Sequence, residues 1–253
     1  MGIFDSFAAA GNIESMKTGD IILVTGRNSE SLVKAQKIIV PSVVSSHVAI
    51  AHEELACIDA NLKIGVRRRF ILDVIADVKP GWRVIRKRGL SEEEADKLLA
   101  AVPYFLGQRY RIHISEKIGK SKSYCSELAR KIYSRSQIEV AIPPSGLITP
   151  GHFDLLHQQS DEWEDVTGDI EKWIDFVRQN EKECRELFQV TIDGLKLNRR
   201  RYDDRDKQRK MIRSEERRGN ISKETMHEML KILDDAEEKM SYRFWDVEKR
   251  RGN

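Results

Sequence analysis

Residues 45–60 read Ser-Ser-His-Val-Ala-Ile-Ala-His-Glu-Glu-Leu-Ala-Cys-Ile-Asp-Ala. Apolar, β-prone runs flank the polar triplet His52-Glu53-Glu54, which is the pattern of an antiparallel hairpin. With that triplet as a three-residue loop, Ala51 stands opposite Leu55, Ala49 opposite Cys57 and His47 opposite Asp59. Side chains alternate between the two faces of a strand, so Val48, Ile50 and Ile58 share a core-directed face. His47 and Asp59 share the other face with the small residues Ala49, Ala51 and Cys57. Directly opposed residues have Cβ atoms about 4.5–5.5 Å apart, close enough for an imidazole N–H to donate to a carboxylate. A shift of one residue would throw Asp59 to the core side and break this arrangement.

Further strands are expected at residues 19–25, 70–78, 82–88 and 163–167, each a β-prone run bounded by turn residues. Ser29 is placed to cap a helix that Pro41 ends. Ser91, with Glu94 three residues on, forms a capping box for a helix carrying Ala95, Leu98, Leu99 and Val102 on one face. A second helix is expected over residues 124–133 with Ser123 as its cap, which places Cys125 in the first turn.

That position matters chemically. A thiol is a nucleophile only as thiolate, and free N–H groups at a helix start favour the negative charge. The same groups can receive the oxyanion that forms when a carbonyl is attacked. Cys125 is therefore the candidate nucleophile, His47 its candidate base and Asp59 the candidate orienting acceptor. Structural readings stand beside these: a satisfied histidine at a strand end, and an aspartate that shapes a hairpin end. Cys57 reads as a packing thiol on the hairpin face, and Cys184 as chemically inert within a charged helix. His52 falls in the turn and reads as solvated, while His152 and His157 follow Pro150 and decorate a short helix. No H-E-x-x-H or paired-cysteine spacing is present, so neither metal nor cofactor is expected.

At these residues the chain resembles the permuted branch of the NlpC/P60 papain-like superfamily, which includes the YiiX-like and lecithin:retinol acyltransferase-like proteins. The matching pieces are Gly19-Asp20-Ile21-Ile22, the run from Ser46 to Ile50 with Ile58-Asp59-Ala60, Leu106-Gly107-Gln108-Arg109-Tyr110, the run from Tyr124 to Leu128, and Ile148-Thr149-Pro150-Gly151. They occur in the permuted order, histidine before cysteine, and span most of residues 17–168. The resemblance implies an α+β domain with an antiparallel sheet packed on helices. It also implies the Cys125, His47 and Asp59 roles, with Tyr110, Tyr124 and Ser126 near the substrate or its oxyanion. Many relatives carry Glu or His where this chain has Asp59. The implied activity is a cysteine hydrolase or acyltransferase acting on an acyl- or peptide-containing substrate.

The chain has 253 residues, 40% apolar and 34% charged, with a net charge of +3. It holds no run of about 18 apolar residues and no secretory leader, which makes a cytosolic protein, or a delivered effector, the expectation. Three widely spaced cysteines give no disulfide framework. The Met1-Gly2 start with Ser6 fits a myristoylation pattern too short to be specific. The expected division is a hydrolase domain over residues 1–168 and an all-α charged region over 169–253, where helical spacing replaces strand signals. Residues 196–218 hold eleven basic and five acidic side chains. That pattern reads either as a solvated helix laced with ion pairs or as a surface for an anionic membrane or nucleic acid. The alternative to an enzyme is an inactive scaffold that presents these helices to a partner.

Overall fold

The structure, a computed structural model, describes residues 13–27, 33–34, 36–41, 43–76, 78–112 and 121–251. The chain divides into two compact units, Met1–Phe188 and Gln189–Asn253. The start of the helix read from Ser29 and the myristoylation pattern both lie outside the described residues.

The first unit is built on a six-stranded antiparallel sheet. Its strands are β1 (Ile21–Val24), β2 (His47–Ala51), β3 (Ala56–Asn61), β4 (Gly65–Phe70), β5 (Arg83–Lys87) and, later in the chain, β8 (Trp163–Asp165). Their order across the sheet is β4-β3-β2-β1-β5-β8. Between β4 and β5 lies helix α1 (Ile71–Ile75). After β5 come α2 (Glu92–Tyr104) and a short parallel pair, β6 (Arg109–Tyr110) and β7 (Lys122–Ser123). Helices α3 (Cys125–Ser136), α4 (Pro150–Asp154), α5 (Leu156–Gln159) and α6 (Thr167–Gln179) complete the unit.

Both faces of the sheet are covered, so its strands are almost wholly buried. On one face Leu23, Val48, Ile50, Ile58 and Ile85 pack against Leu98 and Val102 of α2 and Leu128, Ala129 and Ile132 of α3. On the other, Ile22, Ala49, Ala51, Cys57 and Val84 pack against α1 and against Ile170, Trp173, Ile174 and Val177 of α6. Each large side chain removed from water here contributes about 1.5–3 kcal/mol.

Four expectations are corrected. The domain boundary moves from 168/169 to 188/189, because α6 supplies one of the two apolar layers of the first unit. The strand expected at 70–78 is β4, ending at Phe70, followed by α1. Three consecutive arginines hid the alternation of β4, and Ile71, Leu72, Val74 and Ile75 bury at helical spacing. Ser123 does not cap α3: Tyr124 is the N-cap residue, and the Ser123 hydroxyl is buried and donates to Gln108. His52 is buried rather than solvated, 3.3 Å from the Leu99 carbonyl, and burial together with the Arg68 charge pulls its pKa down to about 3. The Ser91–Glu94 capping box opens α2 as expected. His152 lies in α4 and His157 in α5.

The motif Gly19-Asp20 is structural. Asp20 is buried and takes a two-pronged hydrogen bond from Arg86, at 2.8 and 2.7 Å. Gly65 is equally constrained, with φ 72°, and a side chain there would run into the Gln108 carbonyl oxygen. That carbonyl accepts the Val66 N–H at 2.8 Å, fastening the β3–β4 turn to the chain that leads into Tyr110. Gly65→Ala is therefore expected to cost about 2 kcal/mol or more, from left-handed strain plus overlap. Urea denaturation checks this; a midpoint equal to wild type would show that the β6 segment is free to yield.

The second unit is helical: the remainder of α7 (Glu181–Arg217), which begins in the first unit, then α8 (Lys223–Glu238) and α9 (Trp245–Arg251). Ser222 caps α8 through the Thr225 N–H. Its apolar centre is small, with Tyr202, Phe244 and Val247 buried. Ion pairs dominate instead: Arg199 with Asp246, Arg209 with Asp234 and Glu237, Arg250 with Asp203.

Candidate active site

The chain ahead of β2 is held before His47 is reached. Asp154 of α4 accepts the backbone N–H groups of Val44 and Ser45, both at 2.9 Å, and the Ser45 hydroxyl at 2.6 Å. Arg83 balances its charge at 2.6 Å. The Ser46 hydroxyl accepts the Gly26 N–H. These contacts fix where β2 starts, and with it the imidazole. Asp154 carries no sequence signal, since its partners Val44, Ser45 and Arg83 all lie far away in the chain.

The hairpin register differs from the expected one. Ile50 pairs with Ile58 and Ala51 with Cys57, and His52 donates to the Ala56 carbonyl, so the loop is Glu53-Glu54-Leu55. Glu53 takes the left-handed conformation that closes it, with φ 65°. The shift is two residues, and an even shift preserves the faces. His47 and Asp59 are thus diagonal neighbours rather than directly opposed, and long side chains span such diagonals. The imidazole Nε2 lies 2.9 Å from Asp59 Oδ2.

The β2–β3 ladder stops at Ile50–Ile58, while β2 stays paired to β1 as far as His47. Bonded positions alternate along a strand, so after His52 and Ile50 the next N–H of β2 facing β3 belongs to Val48. It donates to the sulfur of Cys125, as does the N–H of Ser126. The thiol therefore sits where the two strands splay. This explains how a cysteine from the helix layer on one face meets a histidine whose strand position belongs to the other. The helix α3 packs on the Val48, Ile50 and Ile58 face rather than on the small-residue face, and α6 covers Ala49, Ala51 and Cys57.

Cys125 is the first residue of α3. Burial resists its ionisation, but the His47 charge and the hydrogen bonds from His47, Val48 and Ser126 outweigh that and lower its pKa. Burial likewise resists charge on His47, yet the Cys125 and Asp59 charges and their hydrogen bonds raise it to about 10. The pair is thus biased toward thiolate and imidazolium. With Nε2 on the carboxylate, Nδ1 is the nitrogen left to face the thiol.

Asp59 is fully buried. Burial alone would raise its pKa; donation from His47 and Arg69, with their charges, holds it below the usual carboxylate range. Arg69 reaches the same Oδ2 at 2.9 Å. Arg69 is missed by sequence reasoning, although it alternates with Arg67 on the strand next to Asp59. The Asp59 carboxylate is thus held from two sides.

Cys125 and His47 line a cleft of about 320 Å³, whose wall also includes Tyr110, Tyr124, Ser126 and Ile148. The Tyr110 pKa is pushed up to about 12 by burial and by the charges of Cys125 and Tyr124, so its hydroxyl stays a donor. The Ser126 hydroxyl is buried and donates to the Ile148 carbonyl, leaving its backbone N–H as what it offers the thiol. Tyr124 is buried as the N-cap residue of α3. Cys57 and Cys184 are buried in the layer across the sheet.

A thiol at a helix start, an imidazole on a strand and a carboxylate on the next strand, with histidine ahead of cysteine in the chain, define a cysteine hydrolase-type fold in permuted order. The chain belongs to the permuted papain-like amidase family YaeF/YiiX, C92, whose model matches residues 15–148. It is similar to the crystal structure of metalloprotein yiiX from Escherichia coli O157:H7, at 20% identity and a TM-score of 0.47, over 61% of this chain and 98% of that one. No curated protein matches the chain. Among the described residues, no group of three His, Cys, Asp or Glu side chains is placed to hold a metal ion, and no helix is long and apolar enough to cross a membrane.

Proposed function

We propose that the chain is a cysteine-dependent hydrolase or acyltransferase that cleaves an amide, ester or thioester through an acyl-enzyme on Cys125. The observation that carries this reading is the line Cys125–His47–Asp59, opening on a cleft with a tyrosine hydroxyl and backbone N–H groups around the sulfur. In the first step the thiolate adds to the substrate carbonyl, and the oxyanion forms among donors at the start of α3, with Tyr110 within reach. Imidazolium then gives its proton to the leaving amine, alcohol or thiol as the C–N, C–O or C–S bond breaks. In the second step neutral His47 takes a proton from water, or from an acceptor hydroxyl or amine, which attacks the thioester and restores the thiolate. Asp59 holds the ring and balances its charge in both steps.

The scaffold alternative depended on cations free to meet a partner in residues 196–218. In the structure Arg199, Arg200, Lys207 and Arg209 face carboxylates of their own unit, which supports the solvated reading of that helix.

The test uses activated acyl esters of several chain lengths. Intact-mass measurement is expected to show one acyl adduct, mapped to Cys125, that hydroxylamine removes and Cys125→Ser lacks. Turnover with no adduct, and at an undiminished rate in Cys125→Ser, would overturn the proposal.

A further inference from the structure

Among the described residues of the first unit, the large apolar side chains that the fold leaves exposed all lie in three segments. They are Ile38, Ile39 and Val44; Leu62 and Ile64; and Ile112. Each segment also supplies a wall of the Cys125 cleft, through Gln36, through Asn61 and Leu62, and through Tyr110. The exposed apolar surface is therefore gathered at the mouth of the cleft. Ile38 is 87% exposed, Ile112 71% and Leu62 64%, values that describe side chains standing out of the fold rather than lining it.

The charges on the same segments have one sign. Lys34 and Lys37 accompany Ile38, Lys63 and Arg67 flank Ile64, and Arg109 precedes Tyr110, all exposed. Among the described residues of 33–46, 61–67 and 107–112 there is no aspartate or glutamate. The far end of the β2–β3 hairpin is the reverse, closing on Glu53 and Glu54. In the second unit Arg199, Arg209 and Arg250 face carboxylates of their own unit, whereas the cations at this mouth have no acidic residue on the same described segments.

Exposed aliphatic side chains interleaved with cations, and free of carboxylates, match the boundary between anionic headgroups and acyl chains. An exposed apolar patch marks either a protein or a membrane surface, and cations on all three segments with no carboxylate on their described residues favour the anionic bilayer. We propose that the mouth of the Cys125 cleft docks on an anionic lipid bilayer, its aliphatic side chains entering the boundary and its lysines and arginines meeting the headgroups. That membrane-borne acyl groups then reach Cys125 from the bilayer rests on the proposed function; the docking itself does not.

The experiment uses the full-length Cys125→Ser protein, so that binding is read without turnover, and sediments it with phosphatidylcholine vesicles with or without phosphatidylserine. Binding to the phosphatidylserine vesicles alone is expected, weakening as salt is raised. Leu62→Glu with Ile112→Glu, and separately Lys37→Glu with Lys63→Glu, are each expected to weaken it about tenfold or more. Lys210→Glu with Arg213→Glu, in the second unit, should leave it unchanged. As a second readout, Leu62→Trp should shift its emission to the blue on these vesicles. The proposal is overturned by absence of binding and of the spectral shift at low salt. It is overturned equally if only the Lys210 and Arg213 changes abolish binding, or if the Leu62 and Ile112 changes dissociate a homodimer that binds no vesicles. An active protein that fails to bind would sink the docking and leave the acyl chemistry standing.

Discussion

Cys125→Ser is expected to abolish turnover, by about 10⁴-fold or more, and to remove nearly all thiol labelling of the folded protein. The second outcome follows from the surroundings of the three thiols. Cys57 is fully buried, and burial together with the Asp59 charge pushes its pKa far up. Cys184 is buried and pushed up to about 11 by burial and the Glu183 charge. Only Cys125 is lowered, and only the thiolate reacts. His47→Ala should reduce turnover comparably and slow labelling of Cys125, because the imidazolium is the largest influence favouring its thiolate. Iodoacetamide labelling followed by peptide mass measurement gives the rates, and circular dichroism checks the fold. Labelling of Cys57 or Cys184 at the rate of Cys125 would remove the basis for calling Cys125 activated.

The pH dependence of the same two measurements has a definite sign. Below the lowered Cys125 value the pair gains a proton, the thiolate is lost, and labelling and turnover fall together. Near pH 10, where His47 loses its proton, turnover should fall because no acid remains for the leaving group, while labelling persists. The two limbs belong to the coupled pair rather than to either residue alone.

Asp59→Asn is expected to lower turnover by about 10²–10⁴-fold, less than loss of the nucleophile, since an amide oxygen still accepts from the ring but does not balance its charge. Losing that charge lowers the His47 pKa, so the thiolate is less favoured and the acid limb moves to higher pH. The carboxylate is also shared with Arg69, so the variant leaves a partly exposed guanidinium without its counter-charge, at about 1–3 kcal/mol. Because the folded-state pKa of Asp59 is depressed, this stability advantage of wild type is present above the ordinary aspartate range and lost as pH falls through the folded-state value. Matched pH–rate profiles and urea curves at neutral and acid pH measure both effects. An unchanged acid limb would show that Asp59 does not orient His47.

The parts legible in the sequence are those set by local chemistry. The Ser91–Glu94 capping box, the hairpin around residues 47–61 and the helix that presents Cys125 at its start all depend on neighbours within a few residues. Period-two alternation carried the most, because it requires His47 and Asp59 to share a face under any even register. The loop was misplaced by one residue, which moved the pairing by two, and the contact survived at 2.9 Å. Amphipathic β4 was missed because three arginines in succession carry no alternation, and Ser123 was misread because its hydroxyl has a buried partner in Gln108.

Alternation along strands and caps at helix ends, being local, were sufficient to single out Cys125, His47 and Asp59 as candidates, which the structure brings together, and to class the fold as α+β. Which layer each helix joins was decided only in the tertiary structure. There α3 takes the bulky face, α6 the small-residue face, and the opened β2–β3 ladder lets Cys125 and His47 meet between strands. The support from Asp154 and Arg69 and the gathering of exposed aliphatic and basic side chains at the cleft mouth were decided there as well. These depend on contacts between residues far apart in the chain, for which a single sequence holds no periodic signal.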